Sequence, residues 1–260
     1  QSLAALRGYM ILGSDPEKAK QMKDNRQRAW KNIANGMTIL KQGASHLSNE
    51  DQQQLKTLDN LLAEFKRVQQ SVEDVAQAPN NIPAYQLMLD QAVPTTDALL
   101  QSITYIINVE SQLPATAQRK TLLKLLADSR GSLATGLASI RAYLLSGNED
   151  FRDQFDSKWV VNTQRFNLIN SRYKELFTAE QAQDWSEYTK ARIAFESLPS
   201  QMFNLRSAKD WNQANFLLGT QAAPRAKKSL SILESIEKHE EDALHADIAT
   251  LNELSSRQNT

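Results

Sequence analysis

The amino-acid sequence predicts an all-α protein whose long helices form two similar halves. Glycine and proline, which interrupt helices, are scarce, with 8 and 7 among 260 residues. Apolar residues recur every three or four positions, and no segment alternates apolar and polar residues over the length of a strand. Several sequence matches occur in the same order in both halves, which indicates that one helical unit is present twice.

The first half is predicted to contain four helical segments. Pro16 suits the first turn of a helix, and Ser48 is a suitable N-cap because acidic residues follow it in the next turn. The loop 78–83 holds two prolines and separates the third segment from the fourth, in which Pro94 predicts a kink. The predicted helices are 1–12, 15–46, 49–78 and 84–113.

The second half is predicted to contain four corresponding segments. Gly147 and Asn148 interrupt the first of them, and Thr178 with Gln181 three residues later forms a capping box at the start of the third. The last helix shows a long apolar face and continues toward the end of the chain. The predicted helices are 115–146, 149–177, 179–207 and 209–257.

The internal repeat rests on four ordered matches. An Arg-x-Tyr-x-x-x-Gly pattern ends at Gly13 and again, 134 residues later, at Gly147. The other matches lie 130 residues apart, and the difference of four residues is about one helical turn, which preserves the direction in which side chains face. They pair Ser48 with Thr178, Phe65 with Phe195, and Pro94 with Pro224.

Four segments in each half suffice for two four-helix bundles. If Gly13 and Gly147 are kinks, the helices 1–46 and 115–177 are long and span both bundles, so that six helices build two stacked bundles. The distal bundle is then approximately 15–147, and the proximal bundle is approximately 1–13 plus 148–260. This arrangement places both termini at one end, which suits a single domain standing between two membrane spans.

Composition excludes several classes of function. Lys+Arg and Asp+Glu are both 30, and the net charge of zero argues against nucleic-acid binding. The absence of cysteine excludes disulfides, thiolate metal sites and cysteine nucleophiles. No phosphate-binding loop, nucleophile elbow or dinucleotide motif occurs. Of the three histidines His46, His239 and His245, His245 with Glu241 or Asp242 could form half of a metal site, but His46 has no acidic residue three or four positions before it that would complete the site. We therefore expect no catalytic residue, metal or cofactor.

Three segments are similar to a known family: Leu6–Tyr9, Ser139–Gly147 and the repeated helix that contains Pro224. The chain resembles, over essentially its whole length, the helical bimodular sensing domain of bacterial chemoreceptors and some sensor histidine kinases. The resemblance implies a periplasmic domain of an inner-membrane protein that dimerises. It also implies flanking transmembrane helices and a cytoplasmic signalling domain outside this chain, which begins and ends within helical patterns.

The resemblance also implies a ligand and a site. Characterised members of the family recognise small carboxylates, among them C4-dicarboxylates, citrate and acetate, between the first, fourth and sixth helices and largely through arginines. A guanidinium binds a carboxylate through two parallel hydrogen bonds. The candidates for the proximal bundle are Arg7, Arg152 and Arg225, with Arg206, Trp211 and Ser229 as weaker neighbours; the alternative is that the arginines are solvated surface residues.

Internal symmetry predicts a related and weaker pocket in the distal bundle. Its candidate residues are Arg141, Lys18, Tyr85 and Gln91. Thr95 stands where the proximal unit has Arg225, and the loss of a charge predicts a smaller or monoanionic ligand, or none. The alternative is that Arg141 pairs with an acidic group at the junction, such as Asp15 or Glu149.

The sequence thus predicts the extracytoplasmic ligand-binding domain of a transmembrane chemoreceptor that senses a small organic acid. One alternative keeps the fold but assigns it to a histidine kinase that recognises a periplasmic binding protein. A second alternative is a structural helical interaction module, and an enzyme is the least favoured class.

Overall fold

The computed structural model describes residues 1–258, and every regular element in that range is helical, which confirms the all-α prediction. The helices, in chain order, are α1 (Ser2–Leu12), α2 (Pro16–Gln42), α3 (Asn49–Ala76), α4 (Pro83–Leu87, the π turn Met88–Ala92, then Val93–Ser111), α5 (Ala117–Ser146), α6 (Glu149–Leu168 and the π turn Ile169–Tyr173), α7 (Ala179–Phe195), α8 (Leu198–Ser207) and α9 (Gln213–Leu217, the π turn Leu218–Ala222, then Ala223–Gln258). Short 3₁₀ turns occupy Ala44–His46, Pro79–Asn81 and Lys174–Leu176.

The helices pack as two compact units. Unit 1 consists of Gln1–Asn81 together with the chain from Asn212 onward, and unit 2 consists of Ile82–Trp211. Unit 1 therefore holds α1, α2, α3 and α9, and unit 2 holds α4 to α8. The fourth helical segment of each sequence half packs with the three segments of the other half. The stacking of two bundles stays a prediction.

The chain reverses at Gly13 and at Gly147, and the prediction of kinks at these positions is wrong. Gly8 of α1 packs against the side chain of Met22 on α2. On α6, Asn162 donates a hydrogen bond of 3.0 Å from Nδ2 to the carbonyl of Ser129 on α5. These contacts require each pair of helices to lie side by side as a hairpin.

Helices 1–46 and 115–177 are consequently not continuous, and the boundaries predicted for the two bundles are replaced by those of units 1 and 2. The physical reason is that a new helix is capped directly after each glycine. Asp15 accepts hydrogen bonds from the backbone N–H groups of Glu17 and Lys18, and Asn148 accepts one from Asp150. Such N-caps satisfy the free donors of a helix that starts anew, which a kinked helix does not need.

Two prolines explain two of the π turns. Pro94 and Pro224 each lie two residues after the end of such a turn, in equivalent helices of the two sequence halves. Because proline lacks an N–H and its ring crowds the preceding turn, the helix accommodates it by a local widening. The kink predicted at Pro94 is thus observed as a π turn within a helix that continues to Ser111.

One aromatic pair occupies the same place in each unit. In unit 1 the ring centroids of Trp30 and Phe65 are 5.5 Å apart with an interplanar angle of 61°. In unit 2 those of Trp159 and Phe195 are 5.4 Å apart at 60°. The tryptophans are 129 residues apart and the phenylalanines 130. This pair fixes which positions of α2 and α3 correspond to positions of α6, α7 and α8.

Gly147 is the one glycine of the described chain with a positive φ, at 69°. Its N–H donates a 2.7 Å hydrogen bond to the carbonyl of Tyr143, which ends α5. A Cβ atom here would lie 2.9 Å from Nη2 of Arg206. By contrast, Gly131 lies inside α5, and a Cβ atom there would meet nothing within 4 Å.

We expect Gly147→Ala to lower the free energy of unfolding by about 1–2 kcal/mol, because an L-residue pays the cost of the left-handed conformation. The matched change Gly131→Ala should raise it by about 0.5–1 kcal/mol, because alanine favours the helix. Urea denaturation followed by circular dichroism measures both values. A Gly147→Ala protein as stable as the parent would contradict the assigned conformation.

Candidate functional site

A basic groove of about 740 Å³ lies on unit 1 between α2 and α3. Its volume is in the range of small-molecule pockets in proteins. The groove combines two buried residues at its floor, Arg26 and Trp30, with exposed polar and charged side chains at its rim. The residues that define its character are Arg26, Trp30, Lys31, Lys66, Arg67 and Gln70.

Helical spacing explains why these side chains meet. On α2, Trp30 lies four residues after Arg26 and Lys31 lies four residues after Gln27, and on α3, Gln70 lies three residues after Arg67. Side chains three or four residues apart lie on the same side of a helix, so each helix turns its members toward the groove. The two helices belong to one unit and their polar faces border the aromatic pair. The groove is therefore a consequence of how α2 and α3 pack.

The floor is held by buried hydrogen bonds. Nη2 of Arg26 bonds to Oε2 of Glu73 as a buried ion pair, and also donates to Oε1 of Gln70 at 2.8 Å. Nε1 of Trp30 donates to Oε1 of Gln69 at 2.7 Å. The charge of Arg26 is thus balanced within the protein, and this residue positions the floor without leaving an unpaired charge.

The rim, in contrast, carries cations without acidic partners. Lys31, Lys66 and Arg67 form no salt bridge with a carboxylate in the described chain, residues 1–258, and no acidic residue lines the groove. Nζ of Lys66 lies 5.9 Å from the centre of the Trp30 ring. Three positive charges around a concave surface attract an anion and give it hydrogen-bond donors.

Unit 2 lacks this charge pattern although it keeps the aromatic pair. By the correspondence of Trp30 with Trp159 and of Phe65 with Phe195, the positions of Lys31, Lys66 and Arg67 are taken in unit 2 by Val160, Glu196 and Ser197. The fold of a unit therefore does not require the three cations. Their presence in unit 1 calls for another explanation, and ligand binding is one.

The arginines predicted for the proximal site fall into both units and have separate partners. In unit 1, Arg7 is exposed, and Arg225 pairs with Glu64 of α3 at 3.4 Å. Arg225 also donates from Nη1 to the side chain of Gln221 at 2.8 Å. The hydroxyl of Ser229 donates to the carbonyl of Arg225 at 2.7 Å, so Ser229 is committed to its own helix.

The remaining proximal candidates lie in unit 2. Arg206 donates from Nε to the carbonyl of Leu144 at 2.7 Å and lies 3.8 Å from the ring centre of Trp211. It thereby caps the last turn of α5. Arg152 lies 5.4 Å from the ring centre of Phe203 and 3.8 Å from Glu149. These contacts hold Arg206 and Arg152 in structural positions near the end of α5.

The predicted distal set is also divided between the units. Lys18 belongs to unit 1 and is exposed, whereas Arg141 and Gln91 are exposed in unit 2. The hydroxyl of Tyr85, a partly buried residue, donates to the carbonyl of Leu144 at 3.3 Å. Tyr85 therefore helps to cap α5.

The described residues also bear on the histidines and on membrane insertion. Residues 1–258 contain no cluster of three or more acidic or histidine side chains suited to a metal, and none of their helices has the length and apolarity of a membrane span. Nδ1 of His239 on α9 lies 2.8 Å from Oδ1 of the buried Asp51 on α3, and this hydrogen bond raises the pKa of His239. His239 thus joins two helices of unit 1.

Sequence reasoning missed the residues of the basic groove. It followed the apolar period of α2 through Trp30 and did not consider the cations beside it. A usable signal was present, because Trp30-Lys31 and Lys66-Arg67 place basic residues next to the two members of the aromatic pair. Comparison with known proteins adds no further constraint: no family model, no curated protein and no solved structure matches this chain.

Proposed function

We propose that this chain is the extracytoplasmic ligand-binding domain of a transmembrane chemoreceptor, and that it binds a small organic acid in the basic groove of unit 1. The observation that supports the proposal most directly is the set of three cations without acidic partners, Lys31, Lys66 and Arg67, around a groove of about 740 Å³. The equivalent positions of unit 2 carry no cation, so the fold of a unit does not require these three charges.

The chemistry of the groove favours a ligand with more than one carboxylate. Arg67 offers a planar fork of donors to one carboxylate, and Lys31 and Lys66 offer point charges to a second. The ring of Trp30 supplies an apolar wall for the carbon skeleton. We therefore expect citrate and C4-dicarboxylates to bind more tightly than acetate. Because the rim is exposed, added salt should weaken the binding.

Binding would act on the packing of α2 against α3. An anion that draws Lys31 toward Arg67 favours the arrangement of the two helices in which the cations are close. It shifts the population only by the difference between its affinities for the two arrangements. Helix displacements of about 1–2 Å are a common output of such shifts.

The setting of the domain forms part of the same proposal. We propose a periplasmic location on a bacterial inner-membrane protein, a homodimeric assembly, and a cytoplasmic signalling domain that receives the shift in helix packing. The histidine-kinase alternative differs in its partner, a periplasmic binding protein, and would not use a carboxylate in the basic groove.

Calorimetric titration with citrate, malate, succinate and acetate at low ionic strength tests the proposal. We expect Lys31→Val and Arg67→Ser, which introduce the residues of unit 2, to weaken citrate binding by about tenfold or more each, since each removes a charge-assisted hydrogen bond. Thermal unfolding gives a second readout, because a ligand at a hundred times its Kd adds about 2.7 kcal/mol of stability.

Arg7→Ala is the matched control, because Arg7 is an exposed arginine of unit 1 outside the groove. We expect this variant to bind citrate as the parent does. Loss of binding in Arg7→Ala alone would move the site to the position predicted from the sequence. If none of the four acids binds the parent, the proposed function is refuted.

A further inference from the structure

Unit 1 carries a second groove, of about 580 Å³, whose walls are mainly apolar. It lies among α1, α2, α3 and α9 and begins at the first residues of α1. The side chains that give it its character are Leu3, Ile33, Met37, Leu40, Leu62 and Leu230. We call it the apolar groove. It shares no residue with the wall of the basic groove.

In unit 2 the corresponding place is filled by a helix. The match of Leu6 through Gly13 with Ile140 through Gly147 aligns α1 with the last eleven residues of α5. The earlier part of α5, residues 117–135, has no counterpart in unit 1. Its inward side chains are buried in unit 2, namely Leu122, Leu125, Leu126, Ser129, Ser132 and Leu133.

Direct contacts show which positions face this earlier part of α5. Asn162 of α6 bonds to the carbonyl of Ser129, and Nε of Arg165 lies 3.5 Å from Oδ2 of Asp128. The spacing of 129 residues between the two tryptophans places Ile33 at the position of Asn162 and Gly36 at that of Arg165. Both Ile33 and Gly36 line the apolar groove.

Two apolar side chains at the rim of the groove, Ile39 and Leu230, are more exposed than Leu168 and Leu100, which hold the equivalent positions in unit 2 and are partly buried against its core. Ile39 is 69% exposed and Leu230 is 60% exposed. A Cβ atom on Gly36 would meet nothing within 4 Å, so the backbone of α2 is open to close approach. On α9, apolar residues continue along the same helix beyond the groove as Leu244, Ile248, Leu251 and Leu254, all exposed.

We propose that the apolar groove binds an amphipathic helix that extends α1 on its N-terminal side and runs antiparallel to α9. This helix takes in unit 1 the place that residues 117–135 take in unit 2. It presents leucine-like side chains with the spacing of Leu122, Leu126 and Leu133. The residue that faces Ile33 is apolar, because Ile33 cannot donate the hydrogen bonds that Asn162 donates at the equivalent position of unit 2. The proposal is independent of anion binding in the basic groove.

A designed extension of the whole chain tests the proposal. Residues 117–134 are copied in front of Gln1, which keeps the register of α1 with α5, and alanine replaces the two serines that bond to Asn162 in unit 2. We expect a higher melting temperature and about tenfold slower amide hydrogen exchange in the groove-lining part of α2, because a docked helix suppresses local opening.

Two controls make the result decisive. The same extension with Leu122, Leu126 and Leu133 each changed to serine should give neither effect. The original extension combined with Ile39→Glu, a change at an exposed rim position, should also lose most of the protection. An extension without effect on exchange or melting overturns the proposal. The proposal is also overturned if light scattering shows that the parent is a dimer and that Leu230→Glu dissociates it, because a second copy of the chain then occupies the apolar groove.

Discussion

Replacing Phe195 with alanine should lower the free energy of unfolding of unit 2 by about 3–5 kcal/mol, because it removes a fully buried aromatic ring and leaves a cavity. Phe195 is 0% exposed and packs edge to face with Trp159, in the arrangement that recurs in unit 1. The loss therefore includes both the transfer of the ring to water and the aromatic contact.

Ile193→Ala is the matched control on the same helix. Ile193 is 68% exposed, so this change should alter the stability by no more than about 0.5 kcal/mol. Urea denaturation followed by tryptophan fluorescence measures both variants, and circular dichroism at the same urea concentrations shows whether the units unfold together. Equal losses in the two variants would mean that Phe195 is not part of a packed core.

Local signals made the helices predictable. The caps at Ser48 and Thr178 start α3 and α7 where expected, and the Thr178–Gln181 capping box is present with both reciprocal hydrogen bonds. Proline and N-cap chemistry act within one turn, so the sequence of a few residues determines where a helix starts. The predicted limits of α5, at 115 and 146, lie within two residues of the observed limits.

The pairing of helices was not predictable in the same way. A glycine at a helix end is compatible with a kink and with a reversal, and only the contacts of distant residues, such as Gly8 with Met22, distinguish them. Helix α4 packs with the helices of the second sequence half, and α9 packs with those of the first. Long-range packing decides this as well, since the sequences of α4 and α9 are similar.

The candidate site shows the same limit. The arginines selected from the sequence were chosen by family resemblance and by their position near the glycines, and Arg206 caps α5 and Arg225 pairs with Glu64. The basic groove arises because Lys31 of α2 and Arg67 of α3 border one concave surface, although 36 positions separate them. Which polar faces meet depends on the antiparallel pairing of two helices, which periodicity within each helix does not reveal.

Glu73→Leu should lower the free energy of unfolding of unit 1 by about 3–5 kcal/mol, because it leaves the guanidinium of Arg26 buried without its counterion. The side chains of Arg26 and Glu73 are 9% and 10% exposed. After the change, Arg26 keeps only the neutral oxygen of Gln70 as a partner. Arg26→Met should lower the free energy of unfolding by less than Glu73→Leu does. Nζ of Lys23 lies 3.6 Å from Oε1 of Glu73 and partly balances the carboxylate that remains.

The double variant Arg26→Met with Glu73→Leu should recover most of the stability lost in Glu73→Leu, and it can equal the parent. Two buried charges pay a desolvation penalty that apolar residues of similar volume avoid, so removing both is far less costly than removing one. Urea denaturation of the parent, both single variants and the double variant gives the coupling energy of the pair. If the losses of the single variants simply add, Arg26 and Glu73 do not depend on each other, and the ion pair is not what holds the floor of the basic groove.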